Sequence, residues 1–266
     1  VKANTVVTMV YNLWGDHRWE DRAGPLRELL RIRDPDILAT QELRLASRTV
    51  IDEVLQGHDR VEDDFPGWAG QGNIWWRRDL FKHEDHGAED IGIRADDACL
   101  FWVRLAVRDL GTSLVFATAH YTWPGHETEW HDDVSPRPEH ARRTVDALNR
   151  LAPDIPCIFT GDLNDYARPL WILRSAGFED SFSYLKRLSP ATHPVFPNPV
   201  ARVDVNDPEF TPSTIDWQFH RGPLAPRVSE VVDFYSDGVP PSDHKPVAVA
   251  YRIERGPEGL SSDLQK

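Results

Sequence analysis

Short runs of β-branched and aromatic residues alternate with amphipathic segments along almost the whole chain, and this alternation confines the fold to strands layered with helices. Thr5 to Asn12 reads as a strand, after which Leu26, Leu29, Leu30 and Ile32 recur at helical spacing until Asp34-Pro35 stops them. Residues 36–40 form the next strand and run into Gln41-Glu42, and Ser47 is placed to cap a helix that ends near Leu55. Residues 73–77, 98–107 and 113–119 read as further strands, with Gly111 in the turn between the last two. Trp75 and Trp76, adjacent on one strand, must point to opposite faces, so at least one belongs to the core.

Ser135-Pro136 opens a helix whose Ala141, Val145 and Leu148 form one stripe, with Arg142 and Arg143 off it. A strand follows at residues 157–160, then a helix from Pro169 to Ser175 and a proline-rich loop from Ser189 to Pro212. Strands at residues 214–219, 229–234 and 246–253 close the pattern. No repeat and no low-complexity linker divides the 266 residues. One α/β (α+β) domain is therefore expected over residues 1–255, with a disordered tail at 256–266.

Asp and Glu number 43 against 30 Lys and Arg, a formal charge of −13. A field of that sign repels phosphate backbones unless metal ions or basic groups gather at the site, so charge disfavours nucleic acid as a partner without excluding it. The two cysteines, Cys99 and Cys157, lie in apolar runs and read as buried thiols. No stretch approaches the roughly 18 apolar residues of a membrane span, and no basic-then-apolar leader is present. The expectation is a soluble protein, cytoplasmic or secreted after processing. Oligomeric state leaves no mark in the sequence.

The strands share a way of ending. Asn12, Gln41-Glu42, Ala119-His120, Asp162 with Asn164, and Ser242-Asp243-His244 each follow an apolar run, and Asp216 stands alone between Ile215 and Trp217. One acid at a strand end is an ordinary turn former, but six such places suit a shared reaction centre. Metal-assisted attack on phosphorus needs these groups, because Mg²⁺ takes oxygen ligands, keeps several waters, and works beside a base that prepares the attacking water. Glu42, Asn12 and Asp243 are of the ligand type, and Asp162 with a His244–Asp216 pair can handle the proton. A zinc site at His120, His126, His131 and His140 is disfavoured, since no His-Glu-x-x-His run is present and both cysteines are remote. A Gly-x-Ser-x-Gly elbow and a Gly-Lys-Ser/Thr phosphate loop are both absent, which sets aside serine hydrolases and P-loop nucleotidases.

Asn12 after the first strand, "DPDILATQE" ending at Glu42, "ATAHYTW" around His120, "TGDLND" with Asp162 and Asn164, "TIDW" with Asp216, and "SDHKPV" with Asp243 and His244 together resemble the endonuclease/exonuclease/phosphatase superfamily. The motifs follow that family's order from residue 5 to residue 251. The resemblance implies a four-layered α/β sandwich, two mixed β-sheets packed face to face with helices on both outer sides, and a Mg²⁺ site that Mn²⁺ can also fill. It implies Glu42 as principal metal ligand with Asn12 and Asp243 nearby, and Asp162 orienting or deprotonating water. Asn164 would bind the scissile phosphate, His244 held by Asp216 would contact a nonbridging oxygen or act as base, and His120 would bind phosphate or assist the leaving group.

The implied function is phosphoester hydrolysis. The charge, the lack of a basic stripe and the loop tryptophans favour a small-molecule or lipid phosphoester, with Trp14, Trp123, Trp130 and Arg77 as candidate substrate contacts. A nuclease acting on DNA or RNA is the alternative, with bases stacked on Trp123 or Trp130. A different metal-dependent reaction is the second alternative. A binding module with a dead site is disfavoured, because Glu42, Asp162 and His244 are all retained. The segment from Tyr121 to Ser135 matches no part of the family pattern.

Overall fold

The computed structural model describes residues 4–201 and 211–254. The proposed tail at 256–266 and the stretch 202–210 of the proline-rich loop lie outside the described residues. The chain begins with β1 (Thr5–Asn12), α1 (Trp19–Arg33), β2 (Ile37–Gln41), α2 (Leu45–Val54), β3 (His58–Arg60), α3 (Gly67–Gly70) and β4 (Ile74–Arg77). Its middle is β5 (Phe81–Glu89), β6 (Leu100–Val107), β7 (Thr112–His120), α4 (Glu127–Asp132), α5 (Arg137–Leu151) and β8 (Cys157–Asp162). It ends with α6 (Arg168–Ser175), β9 (Glu179–Asp180), α7 (Ser181–Tyr184), β10 (Asp216–Arg221), β11 (Leu224–Val231) and β12 (Val247–Ile253).

The strands form two six-stranded sheets, ordered β11-β12-β1-β2-β4-β3 and β5-β6-β7-β8-β10-β9. Both are mixed, since β1–β2 and β7–β8 are parallel and the other pairs antiparallel. Alternating side chains explain the layers. Val10, Ala39, Ile74 and Trp76 of the first sheet meet Val103, Leu105, Phe116 and Ile158 of the second in the central core. Their neighbours Met9, Leu38 and Trp75 face outward onto Leu26, Leu29 and Leu30 of α1 and Ile51 of α2. On the other side Val115, Ala117 and Phe159 pack against Ala141 and Leu148 of α5 and Leu173 of α6. Both tryptophans of β4 are thus core, one on each face, as expected for a sheet covered on both sides. The four-layered α/β sandwich implied by the sequence is present. Among the described residues no helix is long and apolar enough to cross a membrane.

Several local readings change. Strand β5 was not expected, because as an edge strand it exposes Lys82, His83, Glu84 and Asp85 and shows no apolar alternation. Helix α4 falls inside the segment that matched no family pattern. Ser47 lies inside the first turn of α2, where its hydroxyl accepts the Arg44 N–H at 3.0 Å. Strand β8 extends past residue 160, through Gly161 and Asp162. A Cβ at Gly161 would lie 2.0 Å from the Ala119 carbonyl oxygen, so the glycine is what lets β7 and β8 pair at this point.

Candidate active site

Strand register brings the polar ends together. Asn12 pairs with Gln41 across parallel β1 and β2, His120 pairs with Asp162 across parallel β7 and β8, and Asp162 pairs with Asp216 across β8 and β10. These pairs lie at the same edge of the two packed sheets. The amide of Asn12 spans them, its Nδ2 donating to Glu42 Oε1 at 3.1 Å and to Asp162 Oδ2 at 3.0 Å. Glu42, Asn164 and Trp14 have φ of 50°, 49° and 57°, left-handed backbone that L-residues rarely adopt and that concentrates at functional sites.

Asp162 is 1% exposed. Its Oδ1 accepts the Asn164 N–H at 2.8 Å, and its Oδ2 lies 3.5 Å from His120 Nε2 and 3.8 Å from His244 Nε2. Burial and then the Asp216 charge hold its carboxyl above the usual range, against the pull of His244, His120 and the Asn164 N–H. His244 is 6% exposed, and its Nδ1 donates to Asp216 Oδ2 at 2.9 Å, which leaves Nε2 facing the cleft. Burial alone would lower its pKa, but Asp216, Asp243 and Asp162 together raise it well above the ordinary imidazole value. Burial likewise works to raise the Asp243 carboxyl, and His193 and His244 outweigh it and pull the group down. Asp216 is fixed from behind by its N–H to Thr192 Oγ1 at 3.1 Å, while its Oδ1 is buried without a hydrogen-bond partner.

Two further residues, marked by none of the sequence motifs, shape the site. Arg22 of α1 is 1% exposed and donates to the carbonyls of Leu13, Trp14, Gly15, His17 and Pro241, at 2.7 to 3.3 Å. It ties the loop after Asn12 to the loop that carries Asp243. Its position one turn before Leu26, on the buried side of α1, was the available clue. His193 lines the cleft, with Nε2 3.8 Å from Asp243 Oδ2 and its ring 4.5 Å from that of His244. Main-chain bonds from Val195 to Asp243 at 2.8 Å and from Lys245 to Thr192 at 2.7 Å hold it there. A proline-rich loop has no periodicity that could have flagged it.

The resulting cleft has a volume of about 770 Å³ and is lined by Glu42, His120, Asp162, Asn164, Asp243 and His244, with Trp14, Trp123 and Trp130 around them. Trp123 and Trp130 are 56% and 79% exposed, the latter carried by α4. Arg77 is not at this site. Because β4 runs antiparallel to β2, its end lies beside Asp36 at the far edge of the sheet, where Arg77 binds Asp34 at 2.6 Å and Asp36 at 3.1 Å. The four histidines weighed for zinc also separate. His126 caps α4, His131 is exposed, and His140 is buried between Thr122 and the Ile91 carbonyl.

Among the described residues two groups of donor atoms lie within 4.8 Å of one another, His193–Asp243–His244 and Asp162–Asp216–His244. Three carboxylates line the cleft, and no Lys or Arg is among its described lining residues. The Glu42 and Asp243 carboxylates offer oxygens of the kind a hard divalent ion takes, while Asn12 Oδ1 accepts the Trp14 N–H at 3.0 Å.

Solved structures share the fold. D. rerio TDP2 complexed with a single-strand DNA product superposes with a TM-score of 0.76 at 18% identity, over 93% of this chain and 98% of that one. A mannosyl-6-phosphatase from Bacteroides thetaiotaomicron gives 0.71 at 22% identity, over 92% and 99%. The human Nocturnin catalytic domain with bound sulfate gives 0.74 at 15% identity, over 95% and 96%. No curated protein sequence matches the chain. The endonuclease/exonuclease/phosphatase family model matches residues 9–244, from the strand that ends in Asn12 to His244 itself, and the chain belongs to that family.

Proposed function

We propose that the chain is a divalent-metal-dependent phosphoester hydrolase, using Mg²⁺ with Mn²⁺ as a substitute, and acting on a small-molecule or lipid phosphoester. The observation that carries this reading is the meeting of His120, His244 and the Asn12 amide on one buried oxygen, Asp162 Oδ2, at the floor of an acid-lined cleft. Bound at Glu42 with Asn12 and Asp243 beside it, the ion would supply the positive charge that a phosphoryl oxygen needs there.

The protein groups supply the rest. Asp162 takes the proton from the attacking water as the new P–O bond forms, a role that suits a buried carboxyl held above its ordinary range. His244, kept protonated by Asp216, donates from Nε2 to a nonbridging oxygen. Asn164 spends one amide N–H on the Tyr121 carbonyl at 2.9 Å and offers the other to the phosphate. His120 gives its proton to the leaving oxygen as the old P–O bond breaks. Trp14, Trp123 and Trp130 hold the group attached to phosphorus, by apolar contact instead of charge.

The similar fold of a mannosyl-6-phosphatase supports the small-molecule reading, while that of TDP2 holding single-stranded DNA keeps nuclease action as the alternative. A panel of phosphate monoesters and diesters separates them. Phosphate or alcohol release that disappears with chelator supports the proposal. An inert panel beside efficient nicking of supercoiled DNA would transfer the assignment to the nuclease reading.

A further inference from the structure

A second histidine cluster lies on the open flank of the sandwich, apart from the catalytic cleft. His83 and His86 belong to β5, the edge strand of the second sheet. A spacing of three would put them on opposite faces of a regular strand. The ladder slips between His83 and Asp85, making Glu84 an extra residue, so His83 pairs with Leu105 and His86 with Val103. Leu105 and Val103 are two apart on β6 and both face the central core. The bulge therefore turns both rings into the mouth between the two sheets. There Trp76 stacks on His83 at 5.2 Å and Trp68 meets His86 edge-on at 5.9 Å. The facing wall is β3, the edge strand of the first sheet. The cavity between them measures about 660 Å³ and shares no lining residue with the catalytic cleft.

The ring nitrogens are placed in a particular way. His86 Nε2 lies 3.2 Å from Asp63 Oδ2, and a carboxylate only accepts, so the proton of neutral His86 sits on Nε2. Its Nδ1 then accepts the Nε2–H of His83 at 3.2 Å, and an ion taking both nitrogens would move that proton to His83 Nδ1. Two imidazole nitrogens each about 2.0–2.1 Å from a tetrahedral ion stand about 3.3 Å apart, so the pair already has the spacing of neighbouring ligands. A carboxylate on the far nitrogen is also the usual device that orients a metal-bound histidine.

We propose that His83 and His86 bind a divalent transition-metal ion of the Zn²⁺ type, held by β5 at the mouth between the two sheets, with Asp63 orienting His86 and water completing the coordination. Two nitrogen donors select such an ion over Mg²⁺, which prefers oxygen. The site would brace the bulge of an edge strand whose residues, Phe81 apart, are exposed or half-buried, and needs none of the groups assigned to phosphoester hydrolysis.

The experiment is a Zn²⁺ titration of the full chain, stripped with chelator, followed by calorimetry and by the thermal midpoint. Expected are a Zn²⁺ site weakened at least tenfold in His83→Gln and in His86→Gln, weakened severalfold in Asp63→Asn, and retained in Glu42→Ala. Zn²⁺ should raise the midpoint of the wild type and of Glu42→Ala, and should raise it far less in the double variant Glu42→Ala/His86→Gln. Equal titrations for wild type and both histidine variants, or loss in Glu42→Ala alone, would overturn the assignment. Should the histidine variants unfold, imidazole nitrogen resonances of the wild type decide instead. Shifts of both rings at one equivalent of Zn²⁺ support the site, and unmoved rings refute it.

Discussion

At the catalytic end His244 stands among Asp216, Asp162 and Asp243, whereas on the flank formed by α5 His140 stands near Arg137, Arg94 and Arg143. Both rings are buried, 6% and 1% exposed, and burial presses each towards the neutral form. The outcome differs because the surrounding charge differs, with His244 raised well above its ordinary value and His140 lowered to about 4. The flank pairs most of its polar groups locally, the Arg137 Nε, 3.5 Å from Asp165 Oδ2, being an exception without a hydrogen bond. His140 joins Thr122 at 3.0 Å to the Ile91 carbonyl at 3.1 Å, and Arg137 grips Glu129 through two bonds of 2.7 Å. The catalytic end leaves groups in excess, with acids facing acids and Asp216 Oδ1 unpartnered. Satisfied polar networks hold a fold, and unsatisfied ones are poised to meet something else.

The largest test of that contrast is Asp162→Asn. If Asp162 carries the water's proton, turnover on the true substrate falls by about 10²–10⁴-fold while the fold and most of the metal affinity remain. Steady-state rates with calorimetric metal binding check both halves. A variant at near-wild-type rate would make Asp162 as structural as His140. Glu42→Ala follows in size. It should weaken Mg²⁺ or Mn²⁺ binding about 10–100-fold, with the rate recovered in part at high metal, a split that a general loss of structure would not give.

The same contrast explains what was legible in the sequence. The sheets and the outer helices were readable because apolar alternation is a local signal, and Met9/Val10 or Trp75/Trp76 on alternate faces follow directly from it. The polar strand ends were readable because each interrupts an apolar run. Edge strand β5 was not, since only Phe81 of its residues is fully buried and its bulge breaks the period. His193 was hidden because loop bonds to Asp243 and Ser213, instead of any pattern, bring it to the cleft. Arg77 was misplaced for a reason of topology. A basic residue at a strand end resembles a phosphate contact, but which end of the sheet it occupies depends on the antiparallel pairing of β4 with β2.

A smaller effect is expected at the rim. Trp130 is mostly exposed and touches the cleft only from α4, so Trp130→Ala should raise KM severalfold and leave kcat nearly unchanged. The corresponding change at buried Trp75, on the structural side, should cost about 3–5 kcal/mol of stability by leaving a cavity. Thermal melts and substrate kinetics on both variants would show whether rim and core divide in this way. A stability loss at Trp130 equal to that at Trp75 would mean that α4 belongs to the core.

The finest test sets the two buried histidines against each other by pH, in metal-free protein. His140 has a folded pKa of about 4 against about 6.5 when unfolded, so between those values the unfolded chain binds a proton that the fold refuses. Its contribution therefore erodes as pH falls, by up to about 1.4 kcal/mol per unit. His140→Gln keeps a donor and an acceptor for Ile91 and Thr122, so it should cost about 1 kcal/mol at pH 7, a deficit that shrinks or reverses at pH 5. His244 has the opposite sign. Its raised folded pKa lends stability that is fully present below the unfolded value and is lost as pH rises through the folded one. The deficit of His244→Gln should accordingly be larger at pH 5 than at pH 9. Urea midpoints of both variants across that range measure the two slopes. Parallel slopes would show that the acids around His244 and the arginines around His140 do not set the difference between the two ends.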